Sequence, residues 1–389
     1  MARRGHGEGS IYQRKDGRWV GELSLGYKDG ERERKQIYGK SQKEVRDKLL
    51  SARNDQKAGI APTDERQTVA QFFGRWLDDS VKGSVRPRTY ETYEEKVRLH
   101  ILPEIGRVRL AHLTPQHIAH LYTVALEEKK LSRKTVSLMH SIIHRALKQA
   151  LRWGLVGRNA AVLVDAPRPE RKEPTVLPFD QLPRFLSAII GHRHKSLWTI
   201  LLATGMRFGE AAALRWQDVN LHDGTVRVTR TLTRPRGGGW FLSEPKTAKS
   251  RRIIPLPRTA IESLRWQRMR VIEARLLAGS KWQEHDFVFP SRNGTPVREA
   301  HVLVEFHRAL EGAGLSRYRM HDLRHTFATQ LFARNQHPRA VQELLGHSRI
   351  DMTMNVYTGS VPAMLKDAAD SLETMFQSLE SDHQEETGT

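Results

Sequence analysis

The most informative stretch of this sequence is HSRIDMTMNVY, at residues 347–357. Two other polar boxes precede it, TGMRFGE at 204–210 and HDLRH at 321–325. Together the boxes supply Arg207 and Arg324, histidines and a terminal tyrosine. Guanidinium groups hold phosphate oxygens in bidentate fashion and stay charged at physiological pH. This set therefore indicates chemistry on a phosphodiester, with Tyr357 as the nucleophile.

The order of these boxes resembles that of the tyrosine recombinases, the integrase family of site-specific DNA recombinases. The resemblance is carried by GMRFGE, HDLRHTFAT and LGHSRIDMTMNVYTG, which fall within the last half of the chain. It implies a 3′-phosphotyrosyl intermediate, strand exchange through a Holliday junction and a homotetramer on DNA. It also implies that no cofactor, metal or ATP is needed. The expected fold is multidomain, mainly α with small β-sheets.

The chemistry of strand cleavage assigns a role to each residue of the boxes. A tyrosine with a pKa of about 10 is a weak nucleophile at neutral pH and needs a base. We expect His321 to be that base, while Arg207, Arg324 and His347 neutralise the charge that grows on the phosphate. Glu210 would orient Arg207 or a nearby hairpin, and a plain surface carboxylate is the alternative interpretation.

Cleavage also requires an acid, because the 5′-oxygen is a poor leaving group unless it is protonated. In the family that the chain resembles, the pattern PKTxxSRRxIPL places a lysine on a hairpin tip that reaches the cleaved strand. The resemblance therefore assigns Lys246 as the acid, since a lysine among other cations can have its pKa lowered enough to donate. Lys249 is the nearby competitor, and both can be simple turn lysines.

Two of these motifs also admit a ligand-binding interpretation. His321 and His325 have the four-residue spacing of zinc proteases, but the glutamate base of that motif is absent and no third ligand cluster appears. We therefore expect no metal, and a supporting, partly structural role for His325. The run Arg236-Gly237-Gly238-Gly239 is flanked by predicted strands, so it indicates turns and not a phosphate-binding loop.

The composition favours a DNA partner. The 389 residues include 64 Lys+Arg and 44 Asp+Glu, a net charge of +20 that attracts polyanions. A merely soluble basic protein is the alternative that charge alone leaves open. The absence of cysteine excludes disulfides and fits a reducing compartment. No apolar run resembles a signal peptide or a bilayer span, so we expect no membrane partner and a cytoplasmic location in a bacterial host.

The length predicts two or three domains, and the first is expected over residues 1–62. Asp16-Gly17 and Asp29-Gly30 separate three short strands, and a helix with a capping box at Ser41 and Glu44 follows them. In the middle strand one face should pack on this helix, formed by Trp19, Gly21, Leu23 and Leu25.

This β-β-β-α unit resembles the AP2-like arm-type DNA-binding domain of phage and conjugative-element integrases. A small sheet can enter the major groove, and its candidate base or phosphate contacts are Arg18, Arg32, Arg34 and Gln36. A solvated polar sheet face is the alternative. An arm domain also implies accessory factors, an excisionase and a DNA-bending host protein.

Residues 66–165 change to helical spacing, with helices expected at about 68–79, 87–101, 115–128 and 133–153. Pro87 and Pro115 suit first helical turns, and Thr114 and Ser132 suit N-caps. The region resembles the SAM-like core-binding domain of these recombinases. Its candidate phosphate contacts are Arg86, Arg88, Lys96, Arg133 and Lys134, and for each of them a solvated helix face is equally expected.

Residues 166–176 contain three prolines in APRPERKEPT and indicate a semi-rigid exposed linker. The catalytic domain, mixed α+β, is expected over 177–389 with strands at 225–233, 240–244 and 251–256. After Tyr357 an apolar helical stripe would dock on a neighbouring subunit or in cis, and it comprises Met364, Ala368, Leu372, Met375 and Leu379. An acidic tail ends the chain.

Three functions remain in competition at this stage. The first is an integrase that recombines the core and arm attachment sites of a phage or mobile element. The second is the same cleavage chemistry in a simpler recombinase or a type IB topoisomerase. The third is a DNA-binding regulator that has lost catalysis. Such a regulator would usually lack at least one active-site residue.

Overall fold

The computed structural model of the chain describes residues 10–28, 31–57, 66–170, 175–244 and 250–357. The fold is mainly helical with small antiparallel sheets, as predicted. It divides into two compact units, Met1–Arg171 and Lys172–Thr389, and the boundary falls inside the predicted linker. Across the described ranges, every helix is too short or too polar to span a lipid bilayer.

The first unit begins with a three-stranded antiparallel sheet and one helix. Its elements are β1 (Ser10–Gln13), β2 (Trp19–Lys28), β3 (Glu31–Gly39) and α1 (Gln42–Lys57), with β2 in the centre of the sheet. Gly17 takes a φ of +83° in the first turn, a conformation that glycine adopts without strain. The second predicted turn, Asp29-Gly30, lies outside the described residues.

The sheet packs on α1 through a small core. Leu23 of β2 contacts the apolar face of α1, where Val45 and Leu49 are buried. A Cβ at Gly21 would lie 2.7 Å from Val45 Cγ1, so only glycine allows this approach of strand and helix. A β-bulge shifts the pairing of β2 and β3 between Ser24 and Gly26, and the side chain of Leu25, the fourth residue predicted for this face, lies outside the described residues.

The capping of α1 differs in one detail from the predicted box. The Ser41 hydroxyl accepts the Glu44 N–H at 3.2 Å, as predicted. The Glu44 carboxylate, however, accepts from the Lys40 backbone N–H at 2.8 Å instead of from Ser41. One half of the box therefore forms as predicted, and the acceptor half is displaced by one residue to Lys40.

The rest of the first unit is helical. Its helices are α2 (Val69–Trp76), α3 (Pro87–Lys96), α4 (Leu102–Ile105), α5 (Pro115–Thr123) and α6 (Arg133–Arg152), and π-helical turns extend α2, α3 and α5 over Leu77–Val81, Val97–Ile101 and Val124–Glu128. Thr114 and Ser132 cap α5 and α6 as predicted, through hydroxyls that accept backbone N–H groups of the first turn. Large side chains including Phe72, Trp76 and Ile142 form its core.

The second unit combines helices with two small sheets. Its helices are α7 (Leu182–Ala188), α8 (Lys195–Thr204), α9 (Phe208–Ala211), α10 (Arg258–Ala278), α11 (Glu299–Gly312), α12 (Met320–Phe332), α13 (Pro338–Leu345) and α14 (Ile350–Tyr357). Its strands are β4 (Val219–Asn220), β5 (Thr225–Val228), β6 (Thr231–Thr233), β7 (Phe241–Ser243) and β8 (Arg252–Pro255).

The predicted single strand over 225–233 is wrong, because two strands of different sheets occupy it. β4, β5 and β8 form one sheet, and β6 pairs with β7 in a separate hairpin. The chain leaves the first sheet at Thr229-Arg230, where the Arg230 guanidinium turns toward Asp218 at 3.6 Å. The two-residue strand β4 carries no alternation that a sequence pattern detects.

Helix α8 lies in the core of the second unit, and its C-terminal end positions Arg207, the first of the predicted catalytic residues. Leu197, Trp198, Ile200 and Leu201 are fully buried along it. The helix ends at Gly205, which takes a left-handed φ of +61°. Because the chain turns sharply there, Arg207 follows directly at the start of α9.

Candidate active site

The site begins with Arg207 and Glu210 on the first turn of α9. Glu210 Oε2 accepts the Arg207 backbone N–H at 3.1 Å, and Oε1 accepts from Arg207 Nη1 at 2.8 Å. The Glu210 side chain is 4% exposed, whereas that of Arg207 is 37% exposed. Among the described residues Glu210 is the acceptor that bonds the Arg207 guanidinium, so one edge of that guanidinium remains accessible.

The other neighbour of Glu210 is Arg252 on β8, a residue for which no role was predicted. Arg252 Nη2 donates to Glu210 Oε2 at 2.8 Å, and Nε donates to the Leu344 carbonyl at 2.6 Å. Burial by itself would raise the pKa of Glu210, but Arg252 and Arg207 lower it overall. Glu210 is therefore a buried carboxylate that stays ionised between two guanidinium groups.

Arg324 on α12 is the most buried cation of the site. Its side chain spans two chain segments, because Nη1 donates to the Gly205 carbonyl at 2.6 Å and Nη2 donates to the Leu345 carbonyl at 2.7 Å. Burial, reinforced by the charges of Arg207 and Arg252, lowers the pKa of Arg324 to about 9, which still leaves it charged at neutral pH. We refer to Arg207, Glu210, Arg252 and Arg324 as the arginine cluster.

Two histidines of α12 stand at the edge of this cluster. The rings of His321 and His325 are T-shaped, with centroids 4.9 Å apart. His321 is exposed on one side, and partial burial followed by the charges of His325, Arg324 and Arg207 lowers its pKa to about 4. Within the described ranges no group of three His, Cys, Asp or Glu side chains has the geometry to hold a metal.

His347 lies after the left-handed turn at Gly346 that ends α13. Its Nδ1 is 2.9 Å from the Thr353 hydroxyl on α14, and its carbonyl accepts from Gln342 Nε2 at 3.1 Å. Burial, followed by the charges of Arg324, Arg207 and Arg252, lowers the pKa of His347 to about 3. The ring is thus neutral at pH 7, with Nε2 as the nitrogen left for a further partner.

The remaining two predicted catalytic residues are only partly placed. Tyr357 is the last residue of α14, the helix whose Thr353 contacts His347. Lys246 and its competitor Lys249 lie outside the described residues, in the segment 245–249 between β7 and β8. The apolar stripe after Tyr357 and the acidic tail lie outside them too.

The structure therefore brings five predicted residues into one electrostatic neighbourhood. Arg207, Glu210, Arg324, His321 and His347 interact through hydrogen bonds or through the charge effects described above. Sequence reasoning missed Arg252, Thr353 and the two glycines that shape the site. A signal existed for Arg252, since it stands in the SRRIIPL stretch, but no pattern showed that this arginine is buried against Glu210.

Two of the predicted DNA contacts of the first sheet, Arg34 and Gln36, lie on a polar face. We call it the sheet face, and it comprises Tyr12, Glu22, Arg34, Gln36 and Tyr38. Glu22 is at its centre, 3.5 Å from Arg34 Nη1 and 3.0 Å from Gln36 Nε2. Arg18 is exposed on the turn that precedes β2, and the side chain of Arg32 lies outside the described residues. This face is the one opposite α1.

The predicted contacts of the helical region are spread over two helix starts. Arg86 precedes α3, Arg88 pairs with Glu91 at 3.3 Å, and Arg133 and Lys134 are exposed on the first turn of α6. Lys96 differs from these, because its side chain is mostly covered and its Nζ lies 2.9 Å from Glu95.

Comparisons with known proteins bear on both units. Residues 175–363 match the phage integrase family model, and residues 68–123 match that of the phage integrase N-terminal SAM-like domain. The chain is 29% identical to an integrase of Streptomyces ambofaciens over 391 residues, which cover 96% of this chain and 98% of that protein. It is 31% identical to the tyrosine recombinase XerC of Bacillus pumilus over 247 residues, covering 61% and 74% of the two chains.

Solved structures show the same fold. The Tn1549 transposon integrase, in complex with transposon right-end DNA, has a TM-score of 0.66 at 25% identity and covers 78% of this chain and 100% of its own. A lambda integrase tetramer bound to a Holliday junction has a TM-score of 0.56 at 18% identity, covering 91% and 96%. Fold and site together define a tyrosine-type site-specific recombinase. The chain belongs to the phage integrase family.

Proposed function

We propose that this protein is the integrase of a phage or other mobile element, which cleaves and rejoins DNA at attachment sites. Relatives named integrase match nearly the whole chain, and the Tn1549 neighbour binds the end of its transposon. The single observation that carries the proposal is the arginine cluster. Two of its three guanidinium groups, those of Arg207 and Arg252, bond the buried carboxylate of Glu210, and Arg207 remains accessible to a phosphate.

The scissile phosphate binds between Arg207, Arg324 and His347. The exposed edge of the Arg207 guanidinium binds the phosphate oxygens. Arg324 is held by two backbone carbonyls and contributes positive charge to the site. With the Thr353 hydroxyl as donor to Nδ1, the neutral His347 ring carries its proton on Nε2, and this N–H donates a hydrogen bond to a non-bridging oxygen. Preorganised donors of this kind stabilise the charge that develops in the transition state.

His321 acts as the general base for Tyr357. A base must be neutral before it can accept a proton, and the lowered pKa keeps His321 neutral at physiological pH. The tyrosine oxygen then forms a bond to phosphorus while the bond to the 5′-oxygen breaks. Lys246 donates the proton that this oxygen needs to leave as a hydroxyl.

The product is a 3′-phosphotyrosine, which conserves the energy of the broken bond. The 5′-hydroxyl of a partner strand attacks it and releases Tyr357, so that no ATP is consumed. A homotetramer exchanges two strands at a time through a Holliday junction. This assembly and the core and arm sites are the finer parts of the proposal, together with an excisionase, a DNA-bending host protein and a cytoplasmic location.

The domain roles follow the two units. Residues 1–62 bind arm-type sites through the sheet face, residues 66–165 bind the core site, 166–176 link the units and 177–389 carry out catalysis. The match of residues 68–123 to the SAM-like domain supports the second of these assignments. The exposed Arg34 and Arg18 support the first.

A suicide substrate tests the proposal. The protein is incubated with EDTA and without ATP on a duplex of its element's junction that carries a nick beside the cleavage point. We expect a covalent adduct on a DNA 3′ end, which Tyr357→Phe abolishes while DNA binding persists. Met354→Ala, an exposed position of the same helix, serves as the matched control and keeps the adduct. Tight binding of the wild-type protein without an adduct would identify a catalytically silent regulator.

A further inference from the structure

We infer that Arg252 is a positioning residue that aligns three parts of the active site at once, an inference that rests on the proposed function. Its side chain is 6% exposed, so it has no direct access to DNA. Each of its three guanidinium nitrogens donates to a different segment of the second unit: Nη2 to Glu210, Nε to the Leu344 carbonyl and Nη1 to the Ser250 carbonyl.

The first link runs through Glu210 to Arg207. Glu210 Oε1 bonds Arg207 Nη1 at 2.8 Å, and Oε2 is shared between Arg252 Nη2 at 2.8 Å and the Arg207 backbone N–H at 3.1 Å. A buried carboxylate is stable only when its oxygens are paired. Arg252 therefore keeps Glu210 ionised and in place, and Glu210 in turn fixes the direction of the Arg207 guanidinium.

The second link runs to the end of α13, which presents His347 and the carbonyl bound by Arg324. The acceptor of Arg252 Nε is Leu344, and the next carbonyl, that of Leu345, accepts from Arg324 at 2.7 Å. Gly346 then turns the chain with a φ of +66°, and a Cβ there would lie 2.9 Å from Arg252 Nη1. Arg252 thus packs directly against the turn that aims His347.

The third link concerns the segment that carries Lys246. Arg252 is the first residue of β8 and pairs with Val228 of β5, and its side chain bonds the carbonyl of the buried Ser250. Ser250 directly follows the segment 245–249, which lies outside the described residues, so the first described residue after Lys246 is bonded to the same guanidinium that holds Glu210. From this contact we expect one side chain to couple the groups proposed to bind the phosphate with the chain segment that contains the proposed acid.

This geometry requires arginine and not merely a positive charge. A guanidinium presents planar donors in fixed directions, whereas an ammonium is a single point that satisfies fewer of them at this distance. Arg252→Lys is therefore the informative substitution, because it retains a cation for Glu210. Arg251→Lys is the matched control, since the adjacent Arg251 is 56% exposed and pairs with the exposed Glu244.

The experiment measures single-turnover cleavage on two suicide substrates that differ only at the scissile linkage. One has the natural 5′-oxygen and the other a 5′-bridging sulfur, whose thiolate leaves without an acid. We expect Arg252→Lys to cleave the oxygen substrate about 10- to 100-fold more slowly, with DNA affinity within about twofold of wild type. The sulfur substrate should recover part of this loss, so the sulfur-to-oxygen rate ratio should rise about tenfold.

A double-mutant cycle with Glu210→Gln completes the test. If one network is responsible, the combined variant should lose scarcely more than the worse single variant. The inference fails if Arg252→Lys cleaves like the wild type, if the rate ratio stays constant, or if the two losses multiply. Merely partial unfolding would reduce the reactive fraction and leave that ratio unchanged. A wild-type protein that forms no adduct rejects the proposed function first, whereas normal cleavage by Arg252→Lys rejects this inference alone.

Discussion

The arginine cluster and the sheet face use the same residue type in opposite ways. In the cluster, Arg324 is buried and the side chain of Arg252 is only 6% exposed, and both donate to backbone carbonyls or to the buried Glu210. On the sheet face, Arg34 is more than half exposed and lies 3.5 Å from Glu22, a weak and solvent-screened contact. The cluster is fixed before DNA arrives, whereas the sheet face can exchange its internal partners for those of a ligand.

This difference predicts different functional consequences for the two regions. A preorganised cluster stabilises a transition state without reorganisation, so damage to it should slow cleavage more than it weakens binding. An exposed face contributes through phosphate contacts, so damage there should change affinity and salt dependence. Four substitutions separate these outcomes.

The largest effect is expected for Arg324→Lys. A lysine cannot bond the Gly205 and Leu345 carbonyls together, so both the charge and the two chain segments lose their alignment. We expect single-turnover cleavage on a suicide substrate to fall by about 100- to 1,000-fold, with DNA affinity changed by less than about threefold. Arg317→Lys, an exposed position just before α12, is the control and should cleave normally. Equal losses in binding and cleavage would place Arg324 among ordinary phosphate contacts.

A smaller loss is expected for Gly205→Ala, which tests whether the backbone of the cluster is as rigid as its side chains. A Cβ at this left-handed position would lie 2.5 Å from Phe327 Cδ1 and 2.8 Å from Leu345 Cδ2. The carbonyl that holds Arg324 must then move. We expect the free energy of unfolding to fall by about 1–3 kcal/mol and cleavage to slow about tenfold. Gly237→Ala, which meets no atom within 4 Å, is the control in urea unfolding and in cleavage.

The residues of the cluster show which parts of such a site a sequence can reveal. The sequence boxes contain Arg207, Arg324, His321 and His347, and their residue types indicate phosphodiester chemistry directly. The helices around them follow ordinary periodicity and capping. The type of each cap at Thr114 and Ser132 was predictable because the hydroxyl bonds a neighbour three residues away. Interactions of this kind join residues that are close in sequence, so a sequence pattern can predict them.

Other features depend on contacts between distant segments. Arg252 meets Glu210 across 42 positions and Leu344 across 92, so no local pattern distinguishes it from the exposed Arg251 beside it. The β-bulge after Ser24 and the change of sheet at Thr229-Arg230 break a period-two pattern that otherwise predicts straight strands. Neither of these is signalled by turn residues.

A pH-dependent difference is expected for His347, whose buried ring has no counterpart on the sheet face. Its pKa is lowered from 6.5 to about 3. Between pH 6.5 and 3 the His347 ring is therefore protonated in the unfolded chain but neutral in the folded protein. The stability that the neutral ring contributes is complete above pH 6.5 and is lost as the pH falls toward 3.

We therefore expect the stability gap between the wild type and His347→Gln to narrow by about 2 kcal/mol between pH 7 and pH 4.5. Urea unfolding at each pH measures it. His222→Gln is the control for replacing a histidine by glutamine at the surface, because this side chain is 97% exposed. If the stability difference between the wild type and His347→Gln stays constant with pH, the His347 ring takes up its proton at the same pH in the folded protein as in the unfolded chain, and its pKa is not lowered.

The smallest effect is expected for Arg34→Ala on the sheet face. Removing one phosphate contact should weaken binding to arm-type DNA by about three- to tenfold and reduce the slope of log affinity against log salt by about 0.9. Cleavage of a core-site suicide substrate should be unchanged, because this exposed side chain takes no part in the cluster. Lys43→Ala on α1 removes the same charge from the other side of the sheet. If both variants lose affinity equally, net charge explains the binding; if Arg34→Ala alone does, the sheet face is the DNA-contacting surface and the two regions divide affinity from catalysis.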